Sequence, residues 1–575
     1  MKTSPKPSQL LAAINLPPQD LARLSFCGSA KVAAVEEWVN NLQATKVMKT
    51  SAILYRAVPE VTRLKTDFTT RIDILEHLRP TIQYAILGLQ KSFLNQALVM
   101  PEEAQKAVVV AQSLQKNMID GYVAAIIQIA EKGKANKTTF DVLSKAIHRA
   151  ITGIGLLFFR NYQIYAQTPA SLWGTLNTLY QVAMYYDIAD RAVADPILRH
   201  VRSQTISSAY TRVLMLASAK TNQISQSDID TCFHIFELWC QNVTIKPELS
   251  NDAENFFAVN LAGNQGPIYK SKVQDRSSAH YIELEFRALL SLLSKQSTNT
   301  ADMVATDNTV KVPKDFPDAL LRHLIDTWSN VAQRKFDRRQ TDLSAEVCVG
   351  LSDCHYFVCN GQDFDYFLKS TGSEQTQHIS RFSQGITPAA HLDDYQNSLV
   401  PVHQVLIQNV SAGGYCVLWH EDISSKVSAG EVIGIKEAGK RTWSVGVIRW
   451  VRQLKKASQL GIQLLANNAK PYAIAQTYDM GGYSEYMRAL FLPPSKFGQG
   501  NPSLLTASAP FQEFDKVKIV DGERESTAKL DRMVFSTKSC RQFRFRRLEA
   551  GATESETASQ PVTPEAPDKF DSSWE

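Results

Sequence analysis

The spacing of apolar residues changes along this chain, and that change restricts the possible folds more than any single motif does. From about Ser8 to Cys240, apolar residues recur three and four positions apart, which is typical of amphipathic helices. After residue 346, short β-branched and aromatic runs alternate with Gly, Ser, Lys and Asp clusters at even intervals, which indicates a small barrel. The pattern predicts a multidomain α+β protein: an N-terminal all-helical bundle or helical-hairpin array, then a small antiparallel β-barrel and further C-terminal β structure.

The same pattern predicts the domain limits. In chain order, the segments are a helical region at 8–295 with a short β-hairpin near 256–270, a linker and connecting helix at 296–333, a barrel at 334–470 with a long polar insertion at 360–398, a second small β region at 480–548 and a tail at 549–575. The tail is rich in Glu, Ser, Thr and Pro, so we expect it to be disordered. The insertion is expected to cover a ligand site or to bind a partner, because long connections inside a small domain are usually functional.

Two arginines four positions apart stand directly before the predicted barrel. Arg334 and Arg338 form an RxxxR string, and Lys335 and Arg339 add further positive charge beside them. A guanidinium is always protonated and donates in a planar fork, so it suits both a phosphate and the O6/N7 edge of guanine. The ordinary interpretation of such a string is a basic, solvated helix end.

A second string, NxSxxG, lies between two predicted strands. Its Asn409 amide and Ser411 hydroxyl are short groups that accept from a base N–H or donate to a phosphate oxygen. Gly413 and Gly414 permit a positive φ and a close approach of the backbone to a ligand. Taken alone, the string is typical of a hairpin turn. A GxVxWV-like strand at 445–451 and a GIxL-like strand at 461–464 then follow it.

The order of arginine pair, NxSxxG turn and these two strands resembles the PilZ family of cyclic di-GMP receptors, over about 334–465. The resemblance implies that the ligand is cyclic di-GMP and that its binding residues are Arg334, Arg338, Asn409, Ser411 and Gly414, with Lys335, Arg339 and Gly413 in supporting roles. Because the arginine pair lies between the helical and β regions, a ligand there would contact both and change their relative orientation. The implied function is a bacterial second-messenger receptor that acts on an unidentified protein partner through its helical region and controls motility, pili or biofilm.

Two other functions compete with this one. The first is a protein-interaction scaffold whose PilZ-like barrel binds no nucleotide. The second is binding of single-stranded RNA by 541–547, where arginine alternates with phenylalanine. That alternation is more typical of a strand whose Phe543 and Phe545 face a core while the arginines face water. The formal net charge of +5 is also small for 575 residues, so nucleic acid is not an expected partner.

Catalytic and metal-binding motifs are absent from the sequence. It contains no GxSxG elbow, no phosphate-binding GxxxxGK[ST] loop and no HExxH helix, so we expect neither an enzyme nor a cofactor. The eight cysteines form no CxxC pair, and Cys354, His355 and Cys359 are interpreted as part of a strand, not as a zinc site. Neither a signal peptide nor an apolar segment long enough to span a membrane is recognised, so a cytoplasmic location is expected.

Overall fold

The computed structural model describes most of the chain. The described residues are 5–95, 100–132, 137–251, 256–274, 280–298, 312–313, 316–329, 337–370, 400–420, 426–454, 457–478, 481–494 and 501–548. They form two compact units, the first drawn almost entirely from residues 1–331 and the second from 332–575.

Helices dominate the first unit. In the described residues they are α1 Pro7–Leu11, α2 Val32–Asn40, α3 Val47–Arg63, α4 Phe68–Gln90, α5 Glu102–Lys132, α6 Lys137–Gln163, α7 Ala170–Tyr185, α8 Ile206–Ser218, α9 Gln226–Trp239, α10 Arg287–Thr298 and α11 Asp318–Ser329. Helix starts follow local chemistry: the Asp67 side chain accepts from the backbone N–H groups of Thr69 and Thr70 at the start of α4. Ser225 and Asp228 form a capping box at the start of α9.

Helix α6 is long and apolar enough in composition to cross a membrane, with a mean hydropathy of 1.4 over its most apolar window. No such segment was recognised in the sequence, so α6 is a candidate by length and composition that the sequence analysis missed. Of that window, 83% is buried inside the unit, and the core helix of a folded domain has the same composition. The helix is therefore only weak evidence for a membrane span.

A buried ion-pair network lies among α4, α5 and α6. The Arg79 guanidinium donates to both carboxylate oxygens of Asp195, at 2.7 and 2.9 Å. Arg149 lies 3.1 Å from Asp195 and also pairs with Glu76, whose carboxylate accepts from the hydroxyl of Tyr122. Asp195, Arg79 and Arg149 are each almost fully buried. Each charge in this network therefore depends on its partner, because an unpaired buried charge is costly.

Short strands complete the described part of the first unit. They are β1 Ala192–Ala194, β2 Ser203–Thr205, β3 Thr244–Lys246, β4 Phe257–Asn260, β5 Ile268–Tyr269 and β6 Tyr281–Glu285. Strands β1 and β2 pair with each other, and the other four form a sheet in the order β3-β6-β4-β5. The pairing of β4 with β5 falls at 256–270, where the sequence indicates a hairpin.

The second unit contains two closed six-stranded barrels. The first consists of β7 Arg339–Val349, β8 His403–Ser411, β9 Gly414–Trp419, β10 Val432–Glu437, β11 Ser444–Gln453 and β12 Ser458–Ala466. The second consists of β13 Lys470–Gln476, β14 Met487–Leu492, β15 Ser503–Ala507, β16 Lys516–Val520, β17 Glu525–Ser536 and β18 Cys540–Leu548. The order is β10-β11-β12-β9-β8-β7 in one and β16-β17-β18-β15-β14-β13 in the other, so the two barrels have the same topology.

The predicted fold class is confirmed: a helical region is followed by a small antiparallel barrel and further C-terminal β structure. Strand β13 begins at residue 470, ahead of the predicted start of the second β region at 480. In the second barrel, Phe543 is fully buried in the core and Phe545 packs against that core. These two rings therefore belong to the barrel core, as the alternation with arginine indicates.

Among the residues that the structure describes after β7, helices α12 Leu351–Val358 and α13 Phe364–Ser370 follow it. The interpretation of Cys354, His355 and Cys359 as strand residues was wrong, since Cys354 and His355 lie within α12 and Cys359 caps its end. Gly350, with a φ of 104°, ends β7 and lets the chain turn into the helix. Among the described residues, no cluster of three His, Cys, Asp or Glu side chains is suited to a metal. Of the insertion predicted at 360–398, residues 371–398 lie outside the described residues.

The two barrels pack against each other and against α12 through one apolar cluster. It joins Val432, Val445 and Val447 of the first barrel to Leu490 and Leu505 of the second. Hydrogen bonds flank this cluster: the Thr537 hydroxyl donates to the carbonyl of Gly430 at 2.7 Å, and the Ser539 hydroxyl donates to Glu431 at 2.6 Å. The His355 Nε2–H donates to the carbonyl of Tyr472 at 3.1 Å.

Candidate ligand site on the first barrel

The arginine string meets the barrel at the start of β7. Arg339 is the first residue of β7 and pairs with Val410 of β8, and Gln340 pairs with Asn409. Arg338 is half-buried and directly precedes this pairing, so it lies beside the end of β8. Arg334 and Lys335 lie outside the described residues. The structure therefore brings Arg338 and Arg339 to the NxSxxG turn and leaves the position of Arg334 open.

The NxSxxG string forms a two-residue turn between β8 and β9. Ser411 pairs with Gly414, and the Ser411 hydroxyl donates to the Gly414 carbonyl at 3.4 Å. Gly414 has a φ of 151°, a backbone conformation that glycine adopts without strain. Gly413 accepts a hydrogen bond from the N–H of Leu464 in β12, at 2.8 Å, which holds the turn against the neighbouring strand.

A β-bulge in β8 determines which side chains face outward. Ile407 pairs with Val417 and Asn409 pairs with Cys416, so Gln408 is the extra residue between the two pairs. Ile407 and Val417 point into the barrel core, with 1% and 0% of their surface exposed. A bulge shifts the alternation by one residue, so Gln408 and Asn409 both lie on the outer surface.

Four directly paired residues cross that outer surface in one line: Asn409, Cys416, Gly461 and Trp450. We call them the outer row. A second bulge, at Arg449 in β11, turns Trp450 outward, where it packs against Cys416. A Cβ atom on Gly461 would lie 2.0 Å from the indole Nε1, so the glycine provides the space in which the indole lies. In the described part of the chain, that buried Nε1 has no hydrogen-bond partner.

Three residues of the outer row were not predicted as site residues from the sequence: Trp450, Gly461 and Cys416. Trp450 and Gly461 were part of the two strand motifs, which was the available signal, but they were used only as markers of a barrel. Their alignment with Asn409 in one row depends on two bulges and on the pairing of β9 with β12, whose residues are more than forty positions apart. Sequence spacing does not contain that register.

The electrostatics of the site distinguish the two described arginines. Burial raises the pKa of the Cys416 thiol, and the positive charge of Arg338 acts against that rise. Burial would also raise the pKa of Glu437, but hydrogen bonds from its neighbours and the charge of Arg339 hold it below its usual range. Arg338 therefore lies close enough to the outer row to act on it, whereas Arg339 lies near a carboxylate that offsets its charge.

The arrangement combines a fixed cation with groups that recognise a base. Arg338 supplies a forked donor, Asn409 and Ser411 supply short polar groups, and Trp450 supplies a rigid aromatic ring. Such a set suits an anion that carries a base, because a positive charge and short polar groups lie at the same surface, above a ring that packs against Cys416.

Comparison with known proteins gives three consecutive family matches. The model "Cyclic-di-GMP receptor FimW, N-terminal domain" matches residues 33–248, and "Cyclic-di-GMP receptor FimW, middle PilZ domain" matches 256–398 and 383–471. The model "FimW C-terminal beta-barrel domain" matches 472–548. A curated relative, the cyclic-di-GMP receptor FimW of Pseudomonas aeruginosa, is 27% identical over 605 aligned positions, which cover 98% of each chain.

No solved structure matches the chain. The three family models together span the helical unit, the first barrel and the second barrel in the same order as the structure has them. The relative also aligns with nearly the whole chain, so the similarity is not confined to one domain. The resemblance seen in the arginine and NxSxxG strings is therefore confirmed, and the chain belongs to the PilZ-domain family, in a large variant with an N-terminal helical region.

Proposed function

We propose that the protein is a receptor for cyclic di-GMP, not an enzyme, and that the ligand binds on the outer surface of the first barrel. The observation that carries this proposal is the position of Arg338 beside Asn409 and Ser411 at the joined ends of β7, β8 and β9. The printed description of the P. aeruginosa relative as a cyclic-di-GMP receptor supports the choice of ligand. No cofactor is required by this function.

The proposed binding residues are Arg334, Arg338, Asn409, Ser411 and Gly414, with Lys335, Arg339 and Gly413 in supporting roles. Arg338 donates to a phosphate or to the O6/N7 edge of a guanine, and Asn409 and Ser411 complete the polar contacts. The backbone at Gly414 leaves room for the ligand because it carries no Cβ. Charge-assisted hydrogen bonds of about 1.5–3 kcal/mol each are sufficient for micromolar affinity when the site is preorganised.

The proposed output is a change in the orientation of the helical unit relative to the first barrel, which a protein partner detects. In the sequence, the arginine string lies between the two units and directly before β7, so a ligand bound to it acts on the connection between them. We infer a cytoplasmic location and a role in motility, pili or biofilm, by analogy with PilZ receptors. The partner is a protein of unknown identity.

Isothermal titration calorimetry of the full chain with cyclic di-GMP tests this function. Arg338→Ala should weaken binding about 10-fold to 100-fold, in line with the loss of one charge-assisted contact. Arg441→Ala is the matched control, because Arg441 is an exposed arginine in the β10–β11 connection of the same barrel. Equal affinities for wild type and Arg338→Ala would reject the proposed site, and no measurable binding by wild type would favour the scaffold function.

A further inference from the structure

Two glutamines lie beside the outer row on opposite sides of β9. The Gln459 Nε2 in β12 donates to the Gln408 Oε1 in β8 at 2.6 Å. The same Gln408 oxygen lies 3.7 Å from the Sγ of Cys416. We call Gln408 and Gln459 the amide pair. Strand β9 lies between β8 and β12 in the barrel, so the two side chains meet above β9.

The bulge in β8 places Gln408 in this position. In a regular strand, Gln408 would point to the opposite side from Asn409, because successive side chains alternate. The extra residue between Ile407 and Asn409 puts both on the outer surface, and bulges are common where a strand must redirect a side chain next to a binding site. Gln459 lies two residues before Gly461 in β12, so it shares the outer face with the outer row.

The amide pair offers a donor and an acceptor side by side. The Gln408 oxygen already accepts from Gln459, so Gln408 presents its Nε2 hydrogens, and Gln459 presents its Oε1. A phosphate provides only acceptors and would repel the Gln459 oxygen. A purine edge has both donors and acceptors, so it complements the pair. Both glutamines are half-buried, which leaves them accessible to a ligand on this surface.

We propose that the amide pair contacts a guanine base of the bound cyclic dinucleotide, beside the phosphate contact made by Arg338. The proposal rests on the proposed function, since it assigns a further part of the same site. It adds two residues that belong neither to the RxxxR string nor to the NxSxxG string. In this arrangement Arg338 supplies charge at one end of the surface, and the amide pair supplies uncharged base contacts on the other side of Cys416.

Calorimetric titration of full-length single variants with cyclic di-GMP tests the proposal. Gln459→Ala and Gln408→Ala should each weaken binding about tenfold, as expected for the loss of an uncharged hydrogen bond. Gln404→Ala is the matched control, because Gln404 is an exposed glutamine near the other end of β8, and it should bind as wild type does. The double variant Gln408→Ala/Gln459→Ala should lose less than the product of the two single effects, because the side chains support each other.

Salt dependence separates a base contact from a phosphate contact. The affinity of wild type should fall as salt rises, Arg338→Ala should flatten that dependence, and Gln459→Ala should leave its slope unchanged. If Gln459→Ala binds as wild type does while Arg338→Ala binds more weakly, the proposed role of the amide pair is overturned and the proposed function stands. A flattened salt slope in Gln459→Ala would overturn the base contact. Failure of wild type to bind would overturn both proposals.

Discussion

Replacing Gly461 by alanine places a methyl group in the volume that the Trp450 indole occupies. The new Cβ would lie 2.0 Å from Nε1, 2.2 Å from Cε2 and 2.7 Å from Cδ1 of that ring. All three distances are well below van der Waals contact, and a rigid indole cannot avoid the methyl group by rotating one terminal bond. The ring must move as a whole, although only 8% of Trp450 is exposed and it packs against Cys416.

Overpacking of this kind costs about 1–3 kcal/mol. For a unit of this size, each kcal/mol lowers the melting temperature by about 2–4 °C, so the transition of the second unit should fall by about 2–12 °C. Because the displaced indole belongs to the outer row, cyclic di-GMP should also bind more weakly to Gly461→Ala. Scanning calorimetry measures the first effect, and titration calorimetry measures the second.

A double-mutant cycle identifies the cause. Trp450→Ala removes the ring, so adding Gly461→Ala in that background should cost little, and the two changes should be strongly non-additive. An equal fall in melting temperature on Gly461→Ala with and without the indole would refute this cause. It is also refuted when the single Gly461→Ala variant melts as wild type does.

Three further changes test other parts of the structure. Asp195→Ala should destabilise the first unit by about 3–5 kcal/mol in urea unfolding, because it leaves Arg79 and Arg149 buried and partly unpaired. The matched control is Asp73→Ala, an exposed aspartate of α4, which should have little effect. Burial lowers the pKa of His355 from 6.5 to about 4, so the unfolded state binds a proton at a higher pH than the folded state does. The free energy of unfolding of the second unit should therefore fall by up to about 3 kcal/mol between pH 6.5 and pH 4. In urea unfolding at several pH values, His355→Gln should reduce this loss, and the exposed His420→Gln should not. Thr537→Val removes the hydroxyl that donates to Gly430 and should cost about 1–2 kcal/mol while cyclic di-GMP affinity stays unchanged, which unfolding and titration measure separately.

The class of each region could be predicted from the sequence because local patterns determine it. Three- and four-residue spacing identified the helical region, and alternating short runs identified the strands of the first barrel. The error at Cys354 and His355 has a local cause as well: eight residues are too few to separate a one-sided helix from a buried strand. The topology of the second barrel was harder to predict from the sequence. Its strand order repeats that of the first, but neither functional string recurs in it.

The site was predictable only in part, because strand pairing brings many of its residues together from distant parts of the sequence. Arg338, Asn409 and Ser411 were identified from two short strings, each of which spans only a few neighbouring positions of the sequence. Trp450 and the amide pair depend on bulges at Gln408 and Arg449, and one extra residue reverses the face of every side chain that follows it. Nothing in the residue types around these two positions requires a bulge.

The bulge in β11 also divides that strand into two parts with different contacts. Before its bulge, β11 directs Val445 and Val447 toward the second barrel, and after it the strand directs Trp450 to the outer row. One strand thus serves both the contact between barrels and the candidate ligand site. The second barrel packs against the half of β11 before the bulge, whereas the outer row lies outside the cluster between the barrels, although both barrels share one topology. The fold alone does not determine which barrel binds a ligand; that depends on the residues that face outward and on the surface that the partner barrel leaves accessible.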